Sequence, residues 1–530
     1  MKNKRKRKGF TLIELLAVII VLAIIALIAT PIIFNVIENA KIKSLENSCY
    51  GVIDAVRTKY AEGLLNSKNG LVDLTGNVNE LTVSGEKPID GTWTIDNSKD
   101  SEQRGIKIDN VRFSSMKDYA CSNDLETGKV SCKKTYKDNS SANTPILFKN
   151  MVPIKYENNK WIIADLGQKW YDYDAKEWAN AVVLNSGVTK NVGDEVTEEE
   201  ISLWYVWVPR YKYTIFNGNN EGVTAKLINI TFEHGKSNTG TLQCRTIDDG
   251  SEMCTDNLNG GTINQISTYT HPAFKFGNTE LTGFWVGKFE VSGSTSAITV
   301  KPNVTSLRSQ KVSSFFTAIQ NVKTTYGINN ADSHMLKNIE WGAVAYLKQS
   351  KYGLGTTDIG INNNSNYITG CGATAESASS TTCNKYNTTT GMLASTTGNI
   401  YGVYDMSGGA YEYVMGNMKN SSNAFYPNGS GFKTVPDSKY YDVYMYGVGT
   451  QTNYHARGKL GDATKEILVH FNYNAGGWYK DHSYFVKDTY SWLSRGGGHS
   501  GTSSAGIFYF NGVNGGASNY YSTRAVLSSK

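Results

Sequence analysis

The sequence predicts an α+β protein: one long N-terminal helix carrying a small β head, then a large, irregular, β-rich domain. Three observations predict it. No residue from Leu15 to Ile37 is charged. Behind that run, Leu45, Cys49, Val52/Ile53, Val56, Tyr60 and Leu64 recur at three- and four-residue steps, a helical face that ends at Asn66-Ser67-Lys68-Asn69-Gly70. Farther on, short runs of β-formers alternate with glycine, and from Leu203 few helix-length periodic stretches remain.

The front end carries the basic residues. Lys2, Lys4, Arg5, Lys6, Arg7 and Lys8 precede Gly9, and without these six the remaining 47 Lys+Arg equal the 47 Asp+Glu. A balanced body argues against a nucleic-acid partner, since phosphate binding needs surplus cations. As a helix, Leu15–Ile37 is about 35 Å long, enough to cross a bilayer core, with the basic flank staying cytoplasmic. A cleaved secretory signal fits poorly, because the apolar run is too long and no small-residue cleavage site follows it. A plain signal anchor leaves Glu14 explained only by a Thr11-x-x-Glu14 capping box.

The string Lys8-Gly9-Phe10-Thr11-Leu12-Ile13-Glu14-Leu15-Leu16 resembles the type IV prepilin signal. That resemblance implies a leader of residues 1–9, cut after Gly9 by a prepilin peptidase, and N-methylation of Phe10. It implies that Glu14 complements the free amine of a neighbouring pilin subunit, and that Pro31 bends the helix. A buried carboxylate is tolerable when a buried ammonium faces it. Residues 10–66 are then a transmembrane and stem helix.

Residues 67–140 read as a pilin-type β head, with Leu81-Thr82-Val83 and Thr92-Trp93-Thr94-Ile95 as strands. Residues 141–195 read as a small aromatic β module around Trp161–Asp165 and Trp170–Tyr173, and 196–530 as one large domain. Within it, 353–399 is rich in Gly, Thr, Ser and Asn and reads as a surface excursion. Six of the seven cysteines form sequence-local pairs, Cys121/Cys132, Cys244/Cys254 and Cys371/Cys383. An extracellular location permits three disulfides, whereas no CxxC or finger spacing points to zinc. Cys49 is left as a buried thiol on the stem.

Between Trp204 and Leu527, several segments in order resemble the formylglycine-generating-enzyme/sulfatase-modifying-factor family, a variant of the C-type lectin fold. They are Trp204–Arg210, Gly283–Glu290, Ile339–Ala345, Gly402-Val403-Tyr404-Asp405-Met406-Ser407-Gly408-Gly409-Ala410-Tyr411-Glu412-Tyr413-Val414 and Ser494–Gly497. Trp285, Trp341, Tyr404, Tyr411 and Tyr413 are assigned to the core. The resemblance does not extend to catalysis. The family's oxidases use a late cysteine pair, but here the last cysteine is Cys383. The seven histidines show no HxxxH or HExxH spacing, and no GxSxG occurs. Asp405 and Glu412 are read as internal hydrogen-bonders. No catalytic residue, metal ligand or cofactor is assigned. Some family members bind a structural calcium ion near this motif, and Gly409 stands where asparagine is usual.

The tail, residues 492–524, is the most telling stretch. Framework strings Arg495-Gly496-Gly497, Ala505–Phe508 and Arg524–Leu527 bracket residues that are nearly all Gly, Ser, Asn, Tyr, His or Thr. This resembles the variable segment of retroelement-diversified proteins, where adenine mutagenesis of Asn codons yields such residues. Tyr supplies rigid contact area, and Ser, Gly and Asn supply adaptable hydrogen bonding. The residues expected to face a ligand are Trp492, His499, Ser500, Tyr509, Asn511, Asn514, Asn519, Tyr520 and Tyr521. Alternation puts Ile507, Tyr509 and Asn511 on one strand face, with Phe508 and Phe510 inward. The reading is a surface-displayed minor or tip pilin-like subunit, in contact with membrane and other pilins, that recognises an extracellular protein or glycan. The alternatives are a structural pseudopilin of a secretion or DNA-uptake system and a membrane-anchored enzyme of the formylglycine-generating type.

Overall fold

A computed structural model describes residues 12–66, 74–95, 105–214, 224–237, 243–246, 252–255, 268–446, 458–464, 466–467 and 476–530. The chain forms two compact units, one ending at Lys134 and one running from Thr135 to Lys530.

In the first unit, helix α1 (Leu12–Asn66) is followed by five strands, Thr75–Asn77, Pro88–Ile95, Ile106–Phe113, Tyr119–Asn123 and Val130–Lys134. They pair antiparallel in sequence order, as a meander. The periodic face of α1 explains the packing: Leu45, Cys49, Val52, Ile53 and Val56 are buried with Trp93, Ile108, Val111, Phe113 and Val130. The buried face stops short of the helix end, because Leu64 is exposed.

In the front half of α1, Leu16, Val18, Ile20, Val21, Ile33 and Val36 are exposed apolar side chains. Among the described residues no helix is long and apolar enough to cross a membrane. The Leu15–Ile37 run expected to do so lies in α1, with most of its side chains outside the described set, as is the Glu14 side chain. Gly9 and Phe10 also lie outside the described residues.

The second unit is built on two large sheets. A seven-stranded sheet runs Ala331–Met335, Ala525–Ser529, Gly283–Gly287, Ile201–Pro209, Asn180–Leu184, Met151–Glu157 and Lys160–Ile163 in spatial order. The segment 141–195, expected to be a separate module, therefore supplies one end of this sheet. Asn180–Leu184 pairs along Ile201–Pro209, so its Ala181, Val182 and Val183 are buried by the larger core.

The second sheet contains Asp442–Tyr444, Tyr411–Met418, Trp492–Gly496, Gly506–Val513 and Ser483–Tyr484 in that order, and Tyr521–Thr523 pairs with Tyr411–Tyr413. Helix α2 (Val312–Thr325) buries Val312, Phe315, Phe316, Ile319 and Val322, an amphipathic stripe. Helix α3 (Asn338–Lys348) is buried along its whole length. A Cβ on its Gly342 would come within 1.9 Å of the Gly461 carbonyl oxygen, so only glycine admits that backbone.

The segment 353–399 is packed rather than a surface excursion. Ile359, Ile361, Asn362, Asn364, Ser395 and Thr396 are buried. Side-chain amides take the place of a strand ladder there: Asn363 and Asn364 donate to the carbonyls of Ala378 and Thr381. Cys121–Cys132 and Cys371–Cys383 are disulfides, and Cys49 is a buried free thiol. Strands Gln243–Thr246 and Glu252–Thr255 set Cys244 opposite Cys254 in register, but their side chains lie outside the described residues.

Candidate binding surface

The last strands of the chain cross from one sheet to the other, and Arg524 marks the crossing. It follows Tyr521–Thr523 of the second sheet and precedes Ala525–Ser529 of the first. Its fully buried guanidinium forms a two-pronged pair with Glu412, whose Oε2 accepts from Nε at 3.0 Å. It also donates to the carbonyls of Gly287 at 2.7 Å and Tyr404 at 2.9 Å. Asp405 accepts from Asn362 Nδ2 and the Gly370 amide, both at 2.8 Å. Glu290 accepts from the Ala410 amide at 2.9 Å.

Burial raises the pKa of all three carboxyls, Glu412 to about 7 despite its arginine. N–H donors point at oxygens of all three carboxyls. Gly409, at φ +67°, leaves room for Glu290: a Cβ there would lie 2.4 Å from Glu290 Oε1.

On this scaffold lies a strip of tyrosine and histidine rings. Tyr411 packs 5.4 Å from Tyr521 and 5.7 Å from Tyr509, centroid to centroid. His482 stacks on Tyr509 at 5.2 Å and reaches Tyr484 at 6.2 Å. Tyr521 stacks on Tyr413 at 4.6 Å. Tyr520 is 54% exposed, and its carbonyl accepts from the Tyr411 amide at 3.0 Å.

Beside these rings, Tyr367 holds a left-handed backbone at φ 56° and meets His499 edge-on at 4.7 Å. The Arg308 guanidinium lies 3.8 Å over the Tyr367 ring. Arg308 donates to the Asn519 carbonyl and, among the described residues, has no carboxylate partner. Lys487 lies over Tyr484 and Tyr490 at 5.4 and 5.2 Å. Rings, amides and two cations, with most rings partly buried and Tyr520 and Tyr490 exposed, can take up a ligand by stacking, hydrogen bonding and charge.

The structure places the nine expected residues unequally. Ser500, Asn514, Asn519 and Tyr520 are exposed, and His499, Asn511 and Tyr521 are half-buried. His499 Nδ1 lies 2.8 Å from Ser379 Oγ, and burial, with Arg308 nearby, lowers its pKa.

Two residues are corrected. Trp492 is fully buried, donates to the Pro427 carbonyl at 3.1 Å and stacks on Phe432. Tyr509 is only 5% exposed, because the Gly506–Val513 strand lies between two others and both of its faces are covered. For the same reason Ile507 is buried along with Phe508 and Phe510. Asn514 belongs with the Pro427–Gly429 turn, where its carbonyl accepts from the Gly429 amide at 2.9 Å.

Tyr411, read as core, is half-buried and part of the strip; Trp285, Trp341, Tyr404 and Tyr413 are buried. Arg308, Tyr367, Ser379, His482 and Tyr484 were not singled out in the sequence. Only the chain's path through the fold brings them to the tail.

Comparison with known proteins adds one firm point. Residues 4–30 match the prokaryotic N-terminal methylation motif, so the N-terminus carries a prepilin-type signal. No curated protein matches the chain. Among solved structures, the Major Tropism Determinant P3c variant is similar at 12% identity, over 74% of this chain and 99% of that one. Its TM-score of 0.24 is too low to assign a shared fold.

Proposed function

We propose that this chain is a pilin-like subunit, displayed at the cell surface, whose C-terminal domain recognises an extracellular protein or glycan through the tyrosine strip. The methylation motif at residues 4–30 supports the pilin half of this reading. The observation that carries the recognition half is the run of partly buried rings Tyr411, Tyr521, His482 and Tyr484, extended by exposed Tyr520 and flanked by Arg308 and Lys487. A rigid scaffold that presents aromatic anchors favours binding, because little side-chain freedom is lost on contact. The work is recognition, with no catalytic step assigned.

In this reading Leu15–Ile37 is a single membrane pass before assembly, and Glu14 mediates subunit incorporation after cleavage before Phe10. The large domain is lectin-like, and its 492–524 segment is diversified by a retroelement. A downstream near-copy of those codons, differing mainly at adenines, is the expected genetic signature. Its absence beside the gene would remove the diversification part alone.

The binding test uses the full chain in detergent on a glycan array and on a panel of extracellular proteins. Loss of a specific signal in a Tyr411→Ala/Tyr520→Ala variant that still melts cooperatively supports the reading. Unchanged binding in that variant, or no binding partner together with a secretion defect on deletion, favours the structural pseudopilin instead. For the front end, Glu14→Ala should block filament incorporation while membrane insertion persists.

A further inference from the structure

In the head, three sulfurs meet at one point. The Sγ atoms of Cys49, Cys121 and Cys132 all lie within 4.8 Å of one another, and all three residues are buried. Cys49 reaches this point because it sits on the packed face of α1, one turn from Leu45 and from Val52 and Ile53. Cys121 and Cys132 reach it because they are directly opposed on neighbouring strands. Val130–Lys134 is the last strand of the meander, so the disulfide joins an edge strand to its neighbour.

We propose that these residues form a thiol–disulfide exchange site, in which Cys49 attacks Cys121 and releases Cys132, moving the bond from the head hairpin to a stem-to-head link. The step balances without an outside oxidant. Cys49 gives up its proton, and its sulfur electron pair forms the Cys49–Cys121 bond. The Cys121–Cys132 bond breaks, and its electron pair leaves on Cys132, which takes the proton. One disulfide and one thiol exist before and after. The direction follows from solvation: Cys132 is 9% exposed on the edge strand, whereas Cys49 and Cys121 are fully buried, so Cys132 is the sulfur best placed to leave as a thiolate.

Burial, reinforced by Glu46, pushes the Cys49 thiol up to about 12. Exchange is therefore rare in the closed head and awaits loosening of the edge strand. Exchange would tie the stem covalently to the sheet. None of this rests on the recognition reading.

The test uses the full chain in detergent with sub-denaturing urea and no added thiol or oxidant. It is alkylated over time and mapped by mass spectrometry without reduction. The expected result is label appearing on Cys132 together with a Cys49–Cys121 cross-linked peptide, both absent from Cys49→Ser. A Cys132→Ser variant made in an oxidising compartment should contain a Cys49–Cys121 disulfide, seen as the loss of two hydrogens from the dithiol mass. Label confined to Cys49 in the wild-type chain overturns the proposal, even if Cys132→Ser fails to fold. Label on Cys121 overturns the assigned direction of attack, and a folded Cys132→Ser chain with two free thiols overturns the link.

Discussion

Tyr509 and Tyr520 are eleven positions apart in one tail, yet one is 5% exposed and the other 54%. The first lies on Gly506–Val513, a strand with a partner on each side. The second lies in a turn fixed from outside, where Ser309 donates to the Ser518 carbonyl and Tyr413 Oη donates to the Gly516 carbonyl. Residue types that favour contact surfaces therefore do not mark a contact surface by themselves. Strand pairing decides which of them are scaffold. The same contrast separates two arginines: Arg524 is buried in a carboxylate pair, while Arg308 stacks on a surface tyrosine with its charge unpaired among the described residues.

The largest effect expected from this contrast is on the scaffold side. Glu412→Ala leaves the buried Arg524 guanidinium without its hydrogen-bonded carboxylate at the crossing between sheets, which should cost about 3 kcal/mol of stability. Tyr509→Ala should cost a similar amount, about 3 kcal/mol or more, by emptying an aromatic site under Tyr411 and His482. Denaturant titration of the full chain in detergent checks both. A change under about 1 kcal/mol in either would show that the residue's own strand, Tyr411–Met418 or Gly506–Val513, is not scaffold there, because deletions in packed cores cost more than that.

Histidines sharpen the same distinction through pH. His334 is fully buried, with Nδ1 at 3.1 Å from Asp332 and Nε2 at 3.0 Å from Glu340. Burial opposes its charge, but the two carboxylates outweigh burial and raise its pKa to about 9. A folded-state pKa above the unfolded value of about 6.5 means the stabilisation is complete below that pH and is lost as pH rises through about 9; the difference corresponds to roughly 3 kcal/mol. His499, half-buried beside Arg308, shifts the other way, to lower pKa. An NMR titration should therefore find the two rings on opposite sides of the ordinary histidine value. His334 titrating at or below it would mean that the carboxylates do not hold a charged ring.

Much of the scaffold was legible because burial leaves a period. The face Leu45, Cys49, Val52/Ile53 and Val56 packs as its spacing predicts, whereas the alternation expected along Gly506–Val513 is absent, because Ile507 and Tyr509 are buried along with Phe508 and Phe510. Two of the local cysteine pairs, 121/132 and 371/383, are disulfides. What was not legible is polar burial and long-range assembly. The 353–399 stretch looks like loop because its core is held by asparagine amides, which carry no hydrophobic signal. Trp492 looks like an anchor because its cover, Phe425 and Phe432, comes from a separate segment. Arg308 and Tyr367 lie more than a hundred residues before the tail, and no local pattern connects them to it.

The smallest stability effect should come from Tyr520→Ala, and it tests the contrast most directly. The ring is more than half exposed, and the turn is held through main-chain atoms that alanine retains, including the carbonyl that accepts from Tyr411. Unfolding free energy should therefore change by no more than about 0.5 kcal/mol, as for surface positions lacking a structural role. If the strip is the recognition surface, the same change should weaken ligand capture by about tenfold or more, since exposed aromatic anchors concentrate binding energy. Pairing Tyr520→Ala with Tyr509→Phe, which keeps the buried ring, makes the outcome decisive. Should Tyr509→Phe reduce capture while Tyr520→Ala does not, the contact face would lie on the strand rather than the turn, and the division drawn between these two tyrosines would be reversed.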